Sequence, residues 1–150
     1  MIALKYLKVK KNVLLGYWVL VPALFYFYLF LLSFNQQVEI KQLIVQVPGL
    51  ALTLLLSFLT LFQAAALYFI SSRTEETSVL MKKFFAFGIT QQILTGNFIG
   101  AALCYFVNKN IAVGDEQDSM NTKIIFYSMT VFIGVISLVI LMIAIRMRGV

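Results

Sequence analysis

Apolar residues fall into four unbroken blocks along the chain, residues 13–34, 47–70, 84–107 and 124–145, and no Asp, Glu, Lys or Arg interrupts any of them. Each block reaches the ~20 residues that a helix needs to cross the hydrocarbon core of a bilayer. A lipid-facing barrel strand would alternate apolar and polar positions over about half that length, and these blocks do not. The pattern predicts an all-α integral membrane protein: a four-transmembrane-helix bundle forming a single domain over residues 1–150, with short connectors at 35–46, 71–83 and 108–123.

The basic residues predict how such a bundle sits. Lys5, Lys8, Lys10 and Lys11 precede the first block, Arg73, Lys82 and Lys83 lie between the second and third, and Arg146 and Arg148 follow the fourth. The other two connectors hold Lys41, Lys109 and Lys123. Lys and Arg accumulate in cytoplasmic segments. With four crossings, this nine-to-three split places both termini in the cytoplasm. The first block is too long for a signal-peptide core and lacks a small-x-small cleavage site after it, so it is expected to stay as an anchor. Residues 2–11 mix Ile2, Leu4, Leu7 and Val9 with lysines. They fit either a short helix lying on the anionic inner leaflet or a frayed basic tail.

Composition narrows the class. The chain is 61% hydrophobic and 12% charged, against ~45–50% and ~25% in ordinary soluble domains. That excludes a soluble globular enzyme and a disordered chain. The net charge of +6 follows from topology, since no basic surface exists apart from the block ends; nucleic acid is not an expected partner. There is no histidine and one cysteine, Cys104. A histidine general base, histidine haem ligation and a histidine zinc site are therefore absent, as is an intrachain disulfide.

Polar and small residues inside the blocks mark the candidate site. In the third block Gly88, Gln92, Gly96 and Gly100 recur every four residues, beside Thr90, Gln91, Thr95 and Asn97. Glycines let helix backbones approach closely, and an amide left unpaired in hydrocarbon is costly, so this face is the expected bundle centre. The second block carries a stripe of Gly49, Thr53, Ser57, Thr60 and Ala64, with Gln63 nearby; the fourth carries Thr130, Gly134 and Ser137. Gln92 and Asn97 are expected to bond hydroxyls such as Thr53, Ser57 or Thr130, with residues such as Ile140 facing lipid. Tyr17 and Trp18, near the end of the first block, are expected at headgroup level, and Pro22 to kink their helix.

The connectors add two features. Arg73, Glu75 and Glu76 form a candidate docking patch for a cytoplasmic protein, and Thr74 or Ser72 a candidate helix cap. The acidic run Asp115-Glu116-Gln117-Asp118 is expected outside, and it lacks the spacing of a calcium loop.

Paired intramembrane carboxylates, a Cys-x-x-Cys pair and a His-Glu-x-x-His helix are missing, so no catalytic residue, cofactor or metal is expected. No ionisable group lies within a block to couple transport. What remains is a small non-catalytic multi-pass protein acting through protein–protein contacts in the bilayer. It would serve as an accessory or regulatory subunit of a larger membrane complex or as a toxin-immunity-type protective protein. The alternative is a homo-oligomeric uncharged channel or small-solute transporter, with Gln91, Gln92, Thr95 and Asn97 on its path. Partners are thus lipid and a membrane protein or a second copy. Nine Lys to three Arg points toward a bacterial plasma membrane.

Overall fold

The computed structural model describes residues 2–115 and 117–149; Glu116, in the acidic run, lies outside the described residues. Six helices make up the regular structure among them: α1 (Ile2–Gln36), α2 (Ile40–Gln46), α3 (Pro48–Arg73), α4 (Val79–Leu94), α5 (Phe98–Lys109) and α6 (Met120–Arg148). Three of these, α1, α3 and α6, are long and apolar enough to cross a membrane. They carry the blocks 13–34, 47–70 and 124–145.

The block 84–107 takes a different path. Its two halves, α4 and α5, fold back on each other: a Cβ added at Gly88 would sit 3.2 Å from Cys104 Sγ. Along a straight helix these residues would be ~24 Å apart. At the open end of the hairpin the Gly114 N–H donates to the Thr77 carbonyl (3.0 Å), and the Ser78 hydroxyl donates to Asp118 (2.7 Å). The chain enters the bundle along α4, turns at Thr95-Gly96-Asn97, and returns along α5 to the end it left. This is a re-entrant hairpin.

The neighbours fix the direction of every helix. Lys11 pairs with Glu76 and Tyr26 meets Phe58 edge-on, so α1 and α3 are antiparallel. Lys83 reaches the Tyr127 hydroxyl, Phe84 meets Phe126, and Gln91 reaches Ser137, so α4 and α6 run parallel. Successive contacts of α1 with α3, α3 with α6, α6 with α4, α4 with α5 and α5 with α1 close a ring of five helices around one half of the bundle. Beyond the hairpin tip α1, α3 and α6 continue, with the short α2 against α1 and α3, and no described Cα of α1 comes within 8 Å of one of α6. The short α2 caps the far end through buried Leu43.

The expected four-span bundle with both ends on one side is therefore corrected. The three helices long and apolar enough to cross a membrane run so that the start of α1 and the end of α6 lie at opposite ends of the bundle. The block length was sufficient for a span, but an apolar run carries no information about whether it reverses. Asp118 of the acidic run likewise sits at the same end as residues 74–78, bonded to Ser78, and not across from them.

Smaller expectations also change. Residues 2–11 are neither a separate interfacial helix nor a frayed tail, because they continue α1, with Leu7 buried in the core cluster. Pro22, where a kink is expected, lies inside α1 with helix on both sides of it. Trp18 is fully buried rather than at headgroup level, packed edge-on against Phe84 of the hairpin (centroids 6.2 Å apart). Ile140 is buried too, on the α6 stripe with Phe126, Ile133 and Ser137. The cap of α4 is Ser78, whose hydroxyl accepts from the Leu80 N–H (3.0 Å). Thr74 instead closes α3, donating to the Ile70 carbonyl (2.7 Å).

The hairpin predicts an accessibility pattern. In a Cys104→Ser background, cysteines placed at Glu75 and Gln117 should react with a membrane-impermeant thiol reagent from the same side. Cysteines at Gln42 and Arg148 should react from the other. Labelling of positions 75 and 117 from opposite sides would restore the four-span path.

Candidate functional site at the hairpin tip

In hydrocarbon a chain can reverse only if the backbone groups freed by the turn find protein partners. Here α4 ends in a Schellman turn, with the Gly96 N–H donating to Ile93 O (3.0 Å) and the Asn97 N–H to Gln92 O (2.8 Å). Gly96 adopts φ +77°, the left-handed region that a side chain makes costly. Asn97 then caps α5. Its Oδ1 accepts from the Gly100 N–H (3.0 Å) and from the Tyr17 hydroxyl (2.6 Å), which braces the tip against α1.

Immediately behind the turn lies an amide network. Gln63 on α3 donates through Nε2 to Gln91 Oε1 (2.6 Å), and Gln91 Nε2 donates to the Ser137 hydroxyl on α6 (3.0 Å). Gln92 Nε2 donates to both Gln63 Oε1 (2.8 Å) and Gln91 Oε1 (2.9 Å). Ser137 passes its own proton to Ile133 O (2.7 Å). All three glutamines are 1–2% exposed. The network ties α3, α4 and α6 at mid-bundle, where each such bond contributes ~0.6–2 kcal/mol.

The predicted site residues separate into three groups. Gly88 and Gln92 on α4 face α5: Gly88 lets Cys104 close, and Gln92 Oε1 would lie 2.3 Å from a Cβ on Gly100. Gly96 makes the turn, and Thr95 bonds back to Gln91 O (3.1 Å). The Gly88, Gln92, Gly96, Gly100 series is therefore two facing edges of a hairpin and not one helical face, and Gly96-x-x-x-Gly100 is no helix contact. Thr53, Ser57, Thr60 and Thr130 do not bond Gln92 or Asn97. Their hydroxyls return to Gly49, Thr53, Leu56 and Phe126 carbonyls of their own helices (2.8–2.9 Å). The partners are Gln63, Gln91 and Tyr17. Gln63 carried the readable signal, as an amide standing within an otherwise apolar helix.

Between the tip, α1 and α3 lies a cavity of about 240 Å³, lined by Tyr17, Pro22, Phe25, Ser57, Thr60 and Asn97 among others. Its polar groups are uncharged. At the connector end, Arg73 stacks over Phe69 (5.3 Å), Glu76 is taken up by Lys11, and Glu75 is exposed. Arg73 and Glu75 line one cavity of about 520 Å³ with Asp118, and Glu76 lies on the Lys11 side of the same connector. Among the described residues no three His, Cys, Asp or Glu side chains come together as metal ligands. Comparison with protein-family models, curated proteins and solved structures finds no match for the chain.

Detergent melting checks which of these groups hold the tip. Gly96→Ala should destabilise by about 1–2 kcal/mol through its positive φ. Gln63→Leu should cost about 1–3 kcal/mol by stranding buried amide groups. Thr53→Val should be near neutral, since its hydroxyl serves its own helix. Equal tolerance at all three positions would contradict the described tip.

Proposed function

We propose that this chain is a non-catalytic multi-pass membrane protein that acts through protein–protein contacts within the bilayer, as an accessory subunit of a larger membrane complex. The observation that carries this reading is the mutual bonding of the three glutamines, in which Gln92 Oε1 alone stays without a partner among the described residues. Gln63, Gln91 and Gln92 are buried and bonded to one another and to Ser137, so the most polar part of the bundle is used as internal glue and does not line a path. The exposure of Thr53 and Phe58 on α3, where no described Cα of α1 approaches α6 within 8 Å, supports the same reading, because it offers a face to a helix from a partner.

The orientation belongs to the proposal. The end that holds the start of α1 and residues 74–78 and 110–119 carries nine of the twelve basic residues; Lys41, Arg146 and Arg148 are at the other. The distribution of Lys and Arg supports a cytoplasmic amino end and an outward carboxyl end.

The test is purification of the tagged protein in mild detergent. A larger membrane protein should elute with it in fixed stoichiometry and be absent from a strain lacking the chain's gene. A homo-oligomer that alone conducts ions or passes solute in liposomes would overturn the accessory role in favour of a channel.

A further inference from the structure

At the basic end of the bundle, another cavity of about 330 Å³ lies between residues of α1 and of α3 and its following connector. Its chemistry is graded along the helices. Leu15 and Leu67 line it toward the bundle interior, while Lys8, Lys11 and Glu76 line it toward the end of the bundle, where the apolar blocks stop. That is the polarity profile of an amphiphile standing at the headgroup boundary.

Two groups in this cavity are unsatisfied in complementary ways. On α3 the hydroxyls of Thr53, Ser57, Thr60 and Ser72 all return to a carbonyl three or four residues back. Ser71 does not: its Oγ is buried without a hydrogen-bond partner among the described residues. It leaves a donor unspent. Glu76 gives one carboxylate oxygen to Lys11, while its other oxygen, Oε2, is buried without a partner among the described residues. It leaves a charged acceptor unspent. Lys8, exposed beside them, has no ion-pair partner among the described residues.

A charge or hydroxyl kept from water without a partner is costly. Ser71 and Glu76 are only partly buried as side chains, so their rotation presents both groups to the cavity, which then fits a ligand that supplies both an acceptor and a donor. We propose that it binds phosphatidylethanolamine, with the lipid phosphate taken by Lys8 and the Ser71 hydroxyl and the ammonium by Glu76 Oε2. The acyl chains then follow Leu15 and Leu67 into the bilayer. Selectivity follows from the headgroups. Phosphatidylcholine brings the positive charge without an N–H to donate. Phosphatidylglycerol brings hydroxyl donors without the charge, and a carboxylate bonds more strongly to a cationic donor than to a neutral one.

Delipidated wild-type protein, titrated with each lipid and read by native mass spectrometry, tests this directly. Phosphatidylethanolamine should bind roughly tenfold more tightly than either of the other two, the worth of one charge-assisted hydrogen bond. Soluble phosphoethanolamine should compete far more weakly than the lipid, since it cannot use Leu15 and Leu67. Glu76→Gln should lose the preference and favour phosphatidylglycerol, because the site becomes wholly basic. Ser71→Ala leaves the Lys11–Glu76 pair intact and should weaken all three lipids several-fold, which keeps the test informative if Glu76→Gln fails to fold. Phosphatidylglycerol or phosphatidylcholine binding as tightly as phosphatidylethanolamine to the wild type would overturn the assignment. Equal competition by soluble phosphoethanolamine would overturn the lipid as its source.

Discussion

A backbone that turns inside hydrocarbon has no water to accept its freed N–H groups or to donate to its freed carbonyls. The rest of the architecture depends on how Thr95-Gly96-Asn97 meets that constraint. Gly96 supplies the left-handed residue, and Asn97 serves at once as the last partner of α4 and the cap of α5. Tyr17 holds Asn97 from α1, and Gln63 and Ser137 hold the end of α4 from α3 and α6. Each of the three crossing helices thus contributes one polar side chain to a turn that none of them contains.

The reversal sets the parity of the chain and with it the asymmetry of the molecule. One half is a closed ring of five helices with a core of Trp18, Phe84, Phe85 and Cys104; the other half is α1, α3 and α6 with the short α2, and there no described Cα of α1 comes within 8 Å of α6. The polar groups of the bundle are concentrated where the two halves join, and they are committed to holding the hairpin. A role in binding other membrane components draws on the surfaces that remain, the open side of α3 and the cavity between α1 and α3 at the basic end.

Much of this was legible in the residues. Blocks 13–34, 47–70 and 124–145 lie in helices long and apolar enough to cross a membrane, because unbroken apolarity over that length favours a helix that can span. The third block met the same criteria, and its turn signals were present: a Gly followed by Asn is what a helix end followed by a new helix start requires. A four-residue glycine period continues equally well through a helix, and it masked them. The basic residues could not arbitrate. Moving from four crossings to three exchanges Lys109 and Lys123 for Arg146 and Arg148, so the split stays nine to three on either path. The hydroxyl stripe of α3 was misleading for another reason. A Ser or Thr in a helix can satisfy itself on the carbonyl one turn back, and Thr53, Ser57 and Thr60 do so, leaving cross-helix bonding to amides, which have donors and acceptors to spare. Trp18 followed its neighbours, since the hairpin covers the level at which an indole would otherwise meet headgroups.

The re-entrant hairpin is tested most directly by the distance between spin labels at Lys82 and Asn110, on the exposed open ends of α4 and α5. In the folded-back arrangement the two backbones lie about one helix spacing apart, ~8–10 Å, so the measured distance should be short, extended only by the label arms. A continuous helix through 84–107 would separate the same positions by ~42 Å, and a distance in that range would contradict the account.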